Sequence, residues 1–540
     1  MTITRALLSV ADKTGSVDLA RGLVEIGCEI ISTGGTAAAL REAGVPVTAL
    51  DAVTGFPEIL GGRVKTLHPS VHGGLLAVRG DARHTAELAR HGIRPIDLVA
   101  VTLYPFEAAL ARGFGEQTLI EEIDIGGVTV LRAAAKNFRD VVVLSDPAQY
   151  AAALNEIRRT GTVAPEMRRR LAREAFARTA AYDRAIGGWL GVDFMVAGSG
   201  ADGRAPSEGG AGDQRFPSRF SLTFEKVQDL RYGENPHQRG AFYREGAGAD
   251  AVAPSGAAAP SAATARQIAG KELSYNNIYD LDAALELVRE FGETAAVVVK
   301  HGIPCGAAIA GTPRDAYLRA REGDPVSAFG GIVALNRPAD RAAAEAINET
   351  FLEAVIAPEF AEDAVALLAR KKAVRLLETG ALGPAGPTPG IDWRRVRDGL
   401  LVQDRDALDL VEADLKAVTS RVPTEAEWRD LRFAWTVCRH VRSNAIVFAR
   451  DRQVVGVGAG QPNRVESVRI AGRVAGDRAR GACMASEAFF PFADGVEAAA
   501  AAGITAVIQP GGSKRDPEVV AAAEAAGMAM VTTGIRHFRH

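Results

Sequence analysis

The sequence predicts an α/β protein with at least two domains. Short apolar segments with the length of buried strands alternate with amphipathic segments of helical period, near the N-terminus and again after residue 220. A chain of 540 residues also exceeds what one hydrophobic core usually serves. Parallel strands joined by helices are therefore expected, with binding loops where the strands end.

The alternation is clearest in a first predicted domain, residues 1–195. Its apolar and amphipathic segments predict strands at 5–10, 29–31, 97–101 and 141–144, and helices at 18–26 and 36–43. Gly44 directly follows the second helix and is a typical C-terminal stop.

Residues 196–218 interrupt this pattern. The stretch is rich in Gly, Ser and Ala with nothing to bury, which predicts a flexible linker. A second domain is predicted over 219–540, with a loop at 246–263.

Within the second domain, the strand and helix pattern resumes. Strands are predicted at 295–299 and 454–457. A segment rich in Gly and Pro, residues 380–390, is expected to separate two similar α/β halves.

Composition argues against several classes of partner and compartment. A formal net charge of -3 gives no reason to bind nucleic acid or an anionic membrane. No apolar run approaches the roughly 20 residues of a membrane span, and the N-terminus lacks a signal-peptide plan. Cys28, Cys305, Cys438 and Cys483 form no CxxC pair, which argues against a disulfide framework and favours the cytoplasm.

A glycine-rich turn at residues 32–36, Ser-Thr-Gly-Gly-Thr, follows one predicted strand and opens a helix. Free amide groups there would favour an anion such as phosphate, although an ordinary tight turn fits equally well. The cations Arg63 and Lys65, which follow a glycine pair, strengthen the phosphate interpretation. His68 and His72 are four residues apart, but Pro69 predicts a loop there rather than a metal-binding helix.

Six segments in this order resemble the cyclohydrolase domain of the bifunctional purine biosynthesis enzymes: 9–15, 32–36, 63–66, 103–106, 124–127 and 135–137. The resemblance implies a methylglyoxal-synthase-like α/β fold. It also implies closure of a purine ring, in which a carboxamide nitrogen joins a formamide carbonyl and water leaves. The alternative left open is a regulatory metabolite-binding module, which would bind a ribotide without converting it.

The same resemblance implies site residues. Lys136 would be the proton-transfer residue, with Lys65, Tyr104 and Asp124 around the reacting groups. Ribotide contacts are implied for Asp12, Lys13, Thr33, Gly34, Gly35, Thr36, Arg63, Thr66, Thr102, Gly126 and Gly127. The family commonly has Asn where this chain has Thr102, and a hydroxyl cannot reproduce a carboxamide.

In the second domain, Lys300 and His301 directly follow a predicted strand. A histidine can take a proton near neutral pH, and an adjacent ammonium can stabilise an oxyanion. The dipeptide alone would also fit an ordinary strand end. Further polar or glycine-rich segments follow in order, at 230–238, 324–331, 441–445, 456–464, 488–494, 509–513 and 534–540.

These segments resemble the transformylase domain of the same enzymes, from about residue 220 to 540. The resemblance implies two cytidine-deaminase-like α/β halves and a homodimer with transformylase sites at its interface. The reaction would move a formyl group from 10-formyltetrahydrofolate to the 5-amino group of aminoimidazole carboxamide ribotide (AICAR). The product, formyl-AICAR (FAICAR), would be the substrate of the ring closure.

By this resemblance, His301 is the general base, Lys300 stabilises the transition state and Asn444 orients the reacting groups. Contacts to the ribotide or folate are implied for Arg231, Tyr232, Gly330, Glu353, Arg464, Phe489, Asp494, Ser513, Lys514 and Arg536. Ile303 and Asp398 depart from the family pattern, and neither carries an assigned chemical role.

A zinc deaminase is the main competing hypothesis, because its fold would be related. That chemistry needs HxE and PCxxC segments. Here Pro304 and Cys305 are followed by Gly306, Ala307 and Ala308, so the second cysteine is missing. No catalytic zinc is therefore expected, while the resemblance leaves room for a structural potassium ion.

Overall fold

The computed structural model describes residues 2–190, 216, 222, 224–245 and 260–540. The described residues form two compact units, one containing 2–190 and the other containing 224–244 and 260–540. The predicted linker, 196–218, lies outside the described residues except for Phe216. The predicted loop at 246–263 lies outside them as far as residue 259.

The first unit is built on a five-stranded parallel sheet with the strand order β3-β2-β1-β4-β5. Its strands are β1 (Arg5–Val10), β2 (Glu29–Ser32), β3 (Thr48–Ala49), β4 (Leu98–Thr102) and β5 (Val142–Leu144). Its helices are α1 (Ser16–Glu25), α2 (Gly34–Glu42), α3 (Leu50–Thr54), α4 (Pro69–Leu76), α5 (Ala82–Arg90), α6 (Phe106–Ala111), α7 (Glu116–Glu121), α8 (Gly126–Lys136), α9 (Tyr150–Thr160) and α10 (Pro165–Trp189).

The central strand β1 pairs in parallel with β2 on one side and β4 on the other. Leu7 and Leu8 on successive positions are both fully buried, because helices cover both faces of the sheet. The strand order reverses direction beside β1, and this is where open α/β sheets bind ligands.

The predicted strands and helices of this unit are confirmed, with ends that shift by a few residues. One local prediction was wrong. Pro69 does not prevent a helix; it is the first residue of α4, and the side chain of His68 caps the helix by accepting a hydrogen bond from the amide of Ser70. Proline is well tolerated there because the first helical amide has no intrahelical partner.

The second unit contains a twelve-stranded mixed sheet, in the order β16-β21-β20-β19-β17-β18-β10-β9-β11-β12-β13-β8, and two small hairpin sheets, β6-β7 and β14-β15. The strands are β6 (Phe224–Leu230), β7 (Gly240–Glu245), β8 (Arg266–Ala269), β9 (Ala295–Lys300), β10 (Ile303–Ile309), β11 (Ile332–Leu335), β12 (Ala354–Ala357), β13 (Arg375–Glu378), β14 (Ile391–Val396), β15 (Gly399–Asp404), β16 (Lys416–Ala417), β17 (Ile446–Arg450), β18 (Gln453–Gly458), β19 (Cys483–Ser486), β20 (Ala506–Gln509) and β21 (Ala529–Thr532). The helices are α11 (Tyr275–Val288), α12 (Pro313–Gly323), α13 (Pro325–Ala328), α14 (Arg341–Asn348), α15 (Glu362–Leu368), α16 (Glu425–Arg439), α17 (Arg464–Ala475), α18 (Asp494–Ala502) and α19 (Asp516–Ala525).

This sheet consists of two halves with the same order of elements. In each half a helix precedes an antiparallel hairpin, and three further strands follow with helices between them. The halves are α11 to β13 and α16 to β21, and they join where β10 pairs with β18. The segment 380–390 lies between the halves, as predicted. Both leading helices begin with a capping box, Ser274 with Asn277 and Thr424 with Glu427.

Strand direction decides which loops meet at one edge of the large sheet. Strand β9 ends at the edge where β10, β11, β12 and β17 begin and where β18, β19, β20 and β21 end. We call this the His301 edge. Most of the residues that the second resemblance singled out follow or precede these strand ends.

No helix in the described ranges is long and apolar enough to cross a membrane. The four cysteines all lie in the described part of the chain, and all are buried and free.

Candidate functional site

In the first unit, three loops converge where β1, β2 and β4 end. Lys13 follows β1, the Thr33–Thr36 turn follows β2, and Tyr104 follows β4. Because these strands are parallel neighbours in the order β2-β1-β4, their following loops lie side by side.

The turn after β2 is fixed to β1 by its threonines. The Thr36 hydroxyl accepts a hydrogen bond of 3.0 Å from the Val10 amide and donates one of 3.0 Å to the Val10 carbonyl. The Thr33 hydroxyl lies 3.2 Å from that of Ser9. Gly34 and Gly35 are exposed, and an added Cβ at either would meet no other atom of the chain within 4 Å. Their backbone is therefore open to a ligand at the start of α2.

Lys13 brings a cation to this turn. Its ammonium donates to the Val10 carbonyl and, at 3.3 Å, to the Thr36 hydroxyl. Burial and then the nearby charge of Lys65 lower the pKa of the Lys13 ammonium. Two ammonium groups close enough to repel each other indicate a place where an anion would be bound favourably.

Thr102 has a defined structural role. Its hydroxyl accepts a hydrogen bond of 2.9 Å from the Asp12 amide, so it ties the loop after β1 to the end of β4. The Asp12 side chain itself is exposed and accepts from the Thr14 amide.

Three side chains predicted to surround the reacting groups of the substrate come from three separate segments of the chain. The Lys65 ammonium donates a hydrogen bond of 3.1 Å to the Tyr104 hydroxyl, and both side chains are half-buried. Asp124 lies close to both. Burial raises the pKa of its carboxyl, against the opposing effects of the Gly127 amide, the Tyr104 amide and the Lys65 charge.

The glycine pair after Asp124 is required by close packing. A Cβ on Gly126 would lie 2.4 Å from the Thr66 hydroxyl, and one on Gly127 would lie 2.4 Å from the Asp124 carboxylate. The Gly127 amide donates a 2.7 Å hydrogen bond to that carboxylate. The pair thus lets both Thr66 and Asp124 approach the start of α8.

The buried Thr66 hydroxyl has no hydrogen-bond partner among the described residues. Buried hydroxyls without partners are costly and uncommon, and at a binding site the missing partner is typically a ligand. Arg63, by contrast, is exposed and pairs with the exposed Glu121. The Arg63 guanidinium would have to break this ion pair before it could contact a ribotide.

Lys136 is the one predicted catalytic residue of this unit that lies apart. It is exposed and forms the last residue of α8, whereas Asp124 precedes the first. Gly127 and Lys136 are nine positions apart on this helix, or roughly 14 Å along its axis. The structure therefore brings Lys65, Tyr104 and Asp124 together without Lys136.

In the second unit, His301 is the first residue of the two-residue turn between β9 and β10. Both turn residues have left-handed backbone, with φ of 57° at His301 and 70° at Gly302. The buried Asp280 carboxylate accepts hydrogen bonds from both turn amides, at 2.9 and 2.6 Å. A Cβ on Gly302 would lie 2.5 Å from the ring of Tyr279, so glycine is needed there.

His301 lines a cleft of about 340 Å³. The other residues of its wall are Glu234, Asn276, Tyr279, Asp280, Ile303 and Arg442. Arg442 donates a 2.7 Å hydrogen bond to the Tyr279 hydroxyl and supplies a cation opposite the histidine. Ile303, one of the departures from the family pattern, contributes an apolar part of this wall.

Lys300 is held at the same turn. Its ammonium donates a 2.7 Å hydrogen bond to the Phe329 carbonyl, beside Gly330, whose φ is 74°. The neighbouring side chains Val326 and Phe329 are 84% and 59% exposed, so an apolar patch lies next to the Lys300 ammonium.

Asn444 and Arg464 belong to one buried network. Arg464 donates to the Asn444 side-chain oxygen at 2.7 Å and forms a buried ion pair with Glu487. It also donates to Ser486 at 2.8 Å. Both terminal nitrogens of the guanidinium therefore bond to groups within the protein. Arg464 supports Asn444 in this arrangement and is not free to bind a ligand.

The remaining predicted contacts fall into two groups. Phe489, Asp494, Ser513, Lys514 and Arg536 follow β19, β20 and β21 at the His301 edge. Glu353 also lies at this edge, before β12, where it pairs with Arg375 at 2.5 Å. Arg231 and Tyr232 lie after β6, with the guanidinium 4.8 Å from the ring centroid.

Sequence reasoning missed two residues that support predicted site residues through hydrogen bonds, one in each unit. Asp280 carries no motif of its own, and only the hairpin that it supports could have drawn attention to it. Tyr182 is fully buried and accepts a 2.8 Å hydrogen bond from the Asp124 amide. Its distance along the chain from Asp124 hides that contact from the sequence.

No group of three or more His, Cys, Asp or Glu side chains within the described residues could hold a metal ion. Cys305, the residue that a zinc deaminase would use as a ligand, is buried in the core and has its pKa raised by burial to about 12. A thiol that is so hard to ionise is a poor metal ligand.

Comparison with known proteins gives matches along the whole chain. A family model described as AICARFT/IMPCHase bienzyme matches residues 134–474, and one described as an MGS-like domain matches residues 15–129. The predicted fold class is thereby confirmed: an MGS-like domain with a parallel sheet is followed by a mixed α/β bienzyme domain.

Several similar proteins are described as "Bifunctional purine biosynthesis protein PurH". The protein from Cereibacter sphaeroides is 54% identical over 552 residues, which cover 100% of this chain and 99% of the relative. Those from Magnetococcus marinus and Myxococcus xanthus are each 53% identical, and the alignments cover at least 99% of both chains. A crystal structure of ForH is 39% identical over 34% of this chain and 97% of its own, with a TM-score of 0.31, too low to bear on the fold.

Full-length identity above one half and a family match over most of the chain lead to one assignment. The chain belongs to the AICARFT/IMPCHase bienzyme family, that of the bifunctional purine biosynthesis proteins, and is an AICAR formyltransferase and IMP cyclohydrolase.

Proposed function

We propose that the chain formylates AICAR in the unit containing residues 224–244 and 260–540, and closes the purine ring of inosine monophosphate (IMP) in the unit of residues 2–190. The observation that carries this division is that each unit has its own cluster of reactive side chains. Lys65, Tyr104 and Asp124 meet in the first, and Lys300 and His301 form one turn in the second. The domain limits 1–195 and 219–540 are proposed on the same ground.

The transformylase step would begin with proton removal. The 5-amino group of AICAR is a weak nucleophile, so His301 would take its proton as the nitrogen bonds to the formyl carbon of 10-formyltetrahydrofolate. Lys300, held by the Phe329 carbonyl, would stabilise the oxyanion that forms. The bond from the formyl carbon to folate nitrogen then breaks, and that nitrogen receives the proton.

The ring closure would use the cluster of the first unit. The carboxamide nitrogen of FAICAR bonds to the formamide carbon, and the carbonyl oxygen later leaves as water. Lys65 and Tyr104, hydrogen-bonded to each other, would stabilise that oxygen. Asp124 would take the two protons that the nitrogens lose and pass them to the oxygen, so that it leaves as water. The open Gly34–Gly35 backbone with Lys13 would hold the phosphate, and Thr66 would contact the ribotide.

The resemblance assigns proton transfer to Lys136 instead of Asp124, and this second proposal rests on the resemblance alone. Substitution Lys136→Ala followed by ring-closure kinetics tests that role. A loss of rate at saturating FAICAR would support it, and an unchanged rate would assign proton transfer to the residues around Asp124.

The transformylase site would be completed by a second copy of the chain. His301 and Asn444 are both assigned to the reacting centre, but their strands are three positions apart in the sheet, or about 14 Å. Phe489 and Arg536 follow β19 and β21, about 19 and 29 Å from β9. Both side chains must reach the same reacting atoms, which approach each other to about 3 to 3.5 Å. A homodimer that brings His301 of one copy to Asn444 of another would meet this requirement.

The exposed apolar side chains beside Lys300 support the same arrangement, because such patches mark interaction surfaces or ligand grooves. The proposed compartment is the cytoplasm, which suits four buried, free thiols. The structural potassium ion has no residues assigned to it and stays a prediction.

Mixing two inactive variants tests the shared site. His301→Ala and Asn444→Ala chains would each lack transformylase activity, but mixed dimers would contain one site with both residues intact. Activity that returns on mixing under conditions of subunit exchange would support the proposal. Absence of recovery, with mixed dimers demonstrated by differential tagging, would place each site within one chain.

A further inference from the structure

The two hairpin turns of the repeated halves are built alike. In the first half, Asp280 accepts hydrogen bonds from the amides of His301 and Gly302. In the second, Asp430 accepts from the amides of Asp451 and Arg452, at 2.8 and 2.6 Å. The four turn residues all have left-handed backbone, with φ between 52° and 70°. This geometry is that of a two-residue hairpin turn with positive φ at both positions.

Both carboxylates are buried, at 8% and 6% exposure, and lie on the helix that leads into the hairpin. Burial raises the pKa of both carboxyls, and the two turn amides oppose that effect in each case. The two aspartates therefore have the same environment and the same hydrogen-bonding role, while only one of the two turns carries a histidine.

A histidine with φ of 57° lies in the left-handed region, which is uncommon for residues other than Gly, although His, Asn and Asp adopt it more often than other side chains. The second turn places Asp451 and Arg452 in the same conformation, which has a steric cost for any residue with a Cβ. At His301 the cost must be met by contacts around the turn, and the Asp280 carboxylate supplies two. Disfavoured backbone held in place by its surroundings is often found at functional sites.

We infer that Asp280 is a positioning residue for formyl transfer: by holding the amides of His301 and Gly302, it keeps His301 in the left-handed conformation that places its imidazole in the cleft. Asp430 holds a turn of the same geometry that has no part in the reaction. This inference rests on the proposed role of His301 as the base.

The test compares Asp280→Asn with the matched variant Asp430→Asn in the full-length protein. Asparagine keeps the size of the side chain but has one acceptor oxygen, and its amide group would face the second backbone N–H. Both variants are expected to change thermal stability by similar amounts, because burial and the two turn amides act alike on the two carboxyls. Asp280→Asn is expected to lower the transformylase kcat at least tenfold with KM for AICAR changed less than twofold, because substrate contacts stay in place while the base is displaced.

Asp430→Asn is expected to keep kcat within twofold of the parent chain, and ring closure should be unchanged in both variants. Equal losses of transformylase kcat in the two variants, or a parent-like kcat in Asp280→Asn, would overturn the inference. If Asp280→Asn does not fold, Asp280→Glu and Asp430→Glu serve as a second pair, since each keeps a carboxylate but shifts it by one methylene.

His301→Ala separates this inference from the proposed function beneath it. Transformylase activity that survives His301→Ala would reject the histidine as base, and the positioning role would fall with it. If His301→Ala is inactive and the two aspartate variants behave alike, only the positioning role fails.

Discussion

The Lys65 ammonium donates a hydrogen bond of 3.1 Å to the hydroxyl of Tyr104, at the point where three loops of the parallel sheet meet. This pair is expected to act on the oxygen that leaves during ring closure. Tyr104→Phe removes the hydroxyl but keeps the ring, and it is predicted to lower kcat for IMP formation from FAICAR by about a hundredfold. Transformylase kinetics of the same variant serve as the internal control, and equal loss of both activities would contradict the assignment.

The unpartnered Thr66 hydroxyl yields a prediction about binding. Thr66→Val removes a buried hydroxyl that has no partner within the described residues, so stability should stay the same or rise slightly. The lost hydrogen bond to the ribotide is worth about 1 kcal/mol, which corresponds to a roughly fivefold higher KM for FAICAR. Steady-state kinetics with a thermal melt checks both parts, and an unchanged KM would place the ribotide elsewhere.

The two glycines that open α8 should respond differently to alanine. Gly127→Ala places a methyl group 2.4 Å from the Asp124 carboxylate and is predicted to lower kcat for ring closure. Gly126→Ala displaces the Thr66 hydroxyl and should mainly raise KM. Gly115→Ala, where an added Cβ meets nothing within 4 Å, is the matched control. The same effect in all three variants would indicate general destabilisation.

The Asp124 carboxylate is predicted to lower the stability of the folded protein and to be required for ring closure. Its pKa is raised in the folded protein, so the folded state binds the proton more tightly than the unfolded state, and ionisation above that pKa lowers stability. Asp124→Asn should therefore raise the melting temperature at pH 7 to 8 and abolish ring closure. The gain should shrink as the pH falls through the pKa of Asp124 in the folded protein, and a gain that persists at low pH would contradict this account.

Variants of Arg464 and Asn444 should distinguish a residue that stabilises the fold from one that contacts the reacting groups. Arg464→Ala leaves Glu487 buried without its cation and is predicted to cost about 3 to 5 kcal/mol in the free energy of unfolding. Asn444→Ala should cost far less and still remove formyl transfer. Urea unfolding and transformylase rates, measured on both variants, check this. Comparable stability of the two variants would mean that the Arg464–Glu487 pair contributes little.

The sequence was sufficient for the fold class and for placing several candidate site residues at strand ends. Strand ends are readable because apolar runs stop there, as they do at Lys300 and at the Thr33 turn. The segment after His68 differs from the prediction: Pro69 predicted a loop there, whereas it is the first residue of α4.

Contacts between distant segments could not be predicted in this way. The hydrogen bond from the Asp124 amide to Tyr182 joins residues 58 positions apart, and no local pattern marks it. The separation of Lys136 from Asp124 likewise depends on a helix that runs unbroken between them. The engagement of Arg464 by Glu487 turned an expected ligand contact into a structural support for Asn444.

The central claim is that two chemical steps occur in two separate units of one chain. Its most direct test supplies AICAR and 10-formyltetrahydrofolate to the parent chain, His301→Ala and Lys65→Ala, and follows tetrahydrofolate and IMP separately. His301→Ala should release no tetrahydrofolate yet still convert added FAICAR to IMP, whereas Lys65→Ala should release tetrahydrofolate and accumulate FAICAR. Loss of both activities from either folded variant would contradict the division of the two steps between the units.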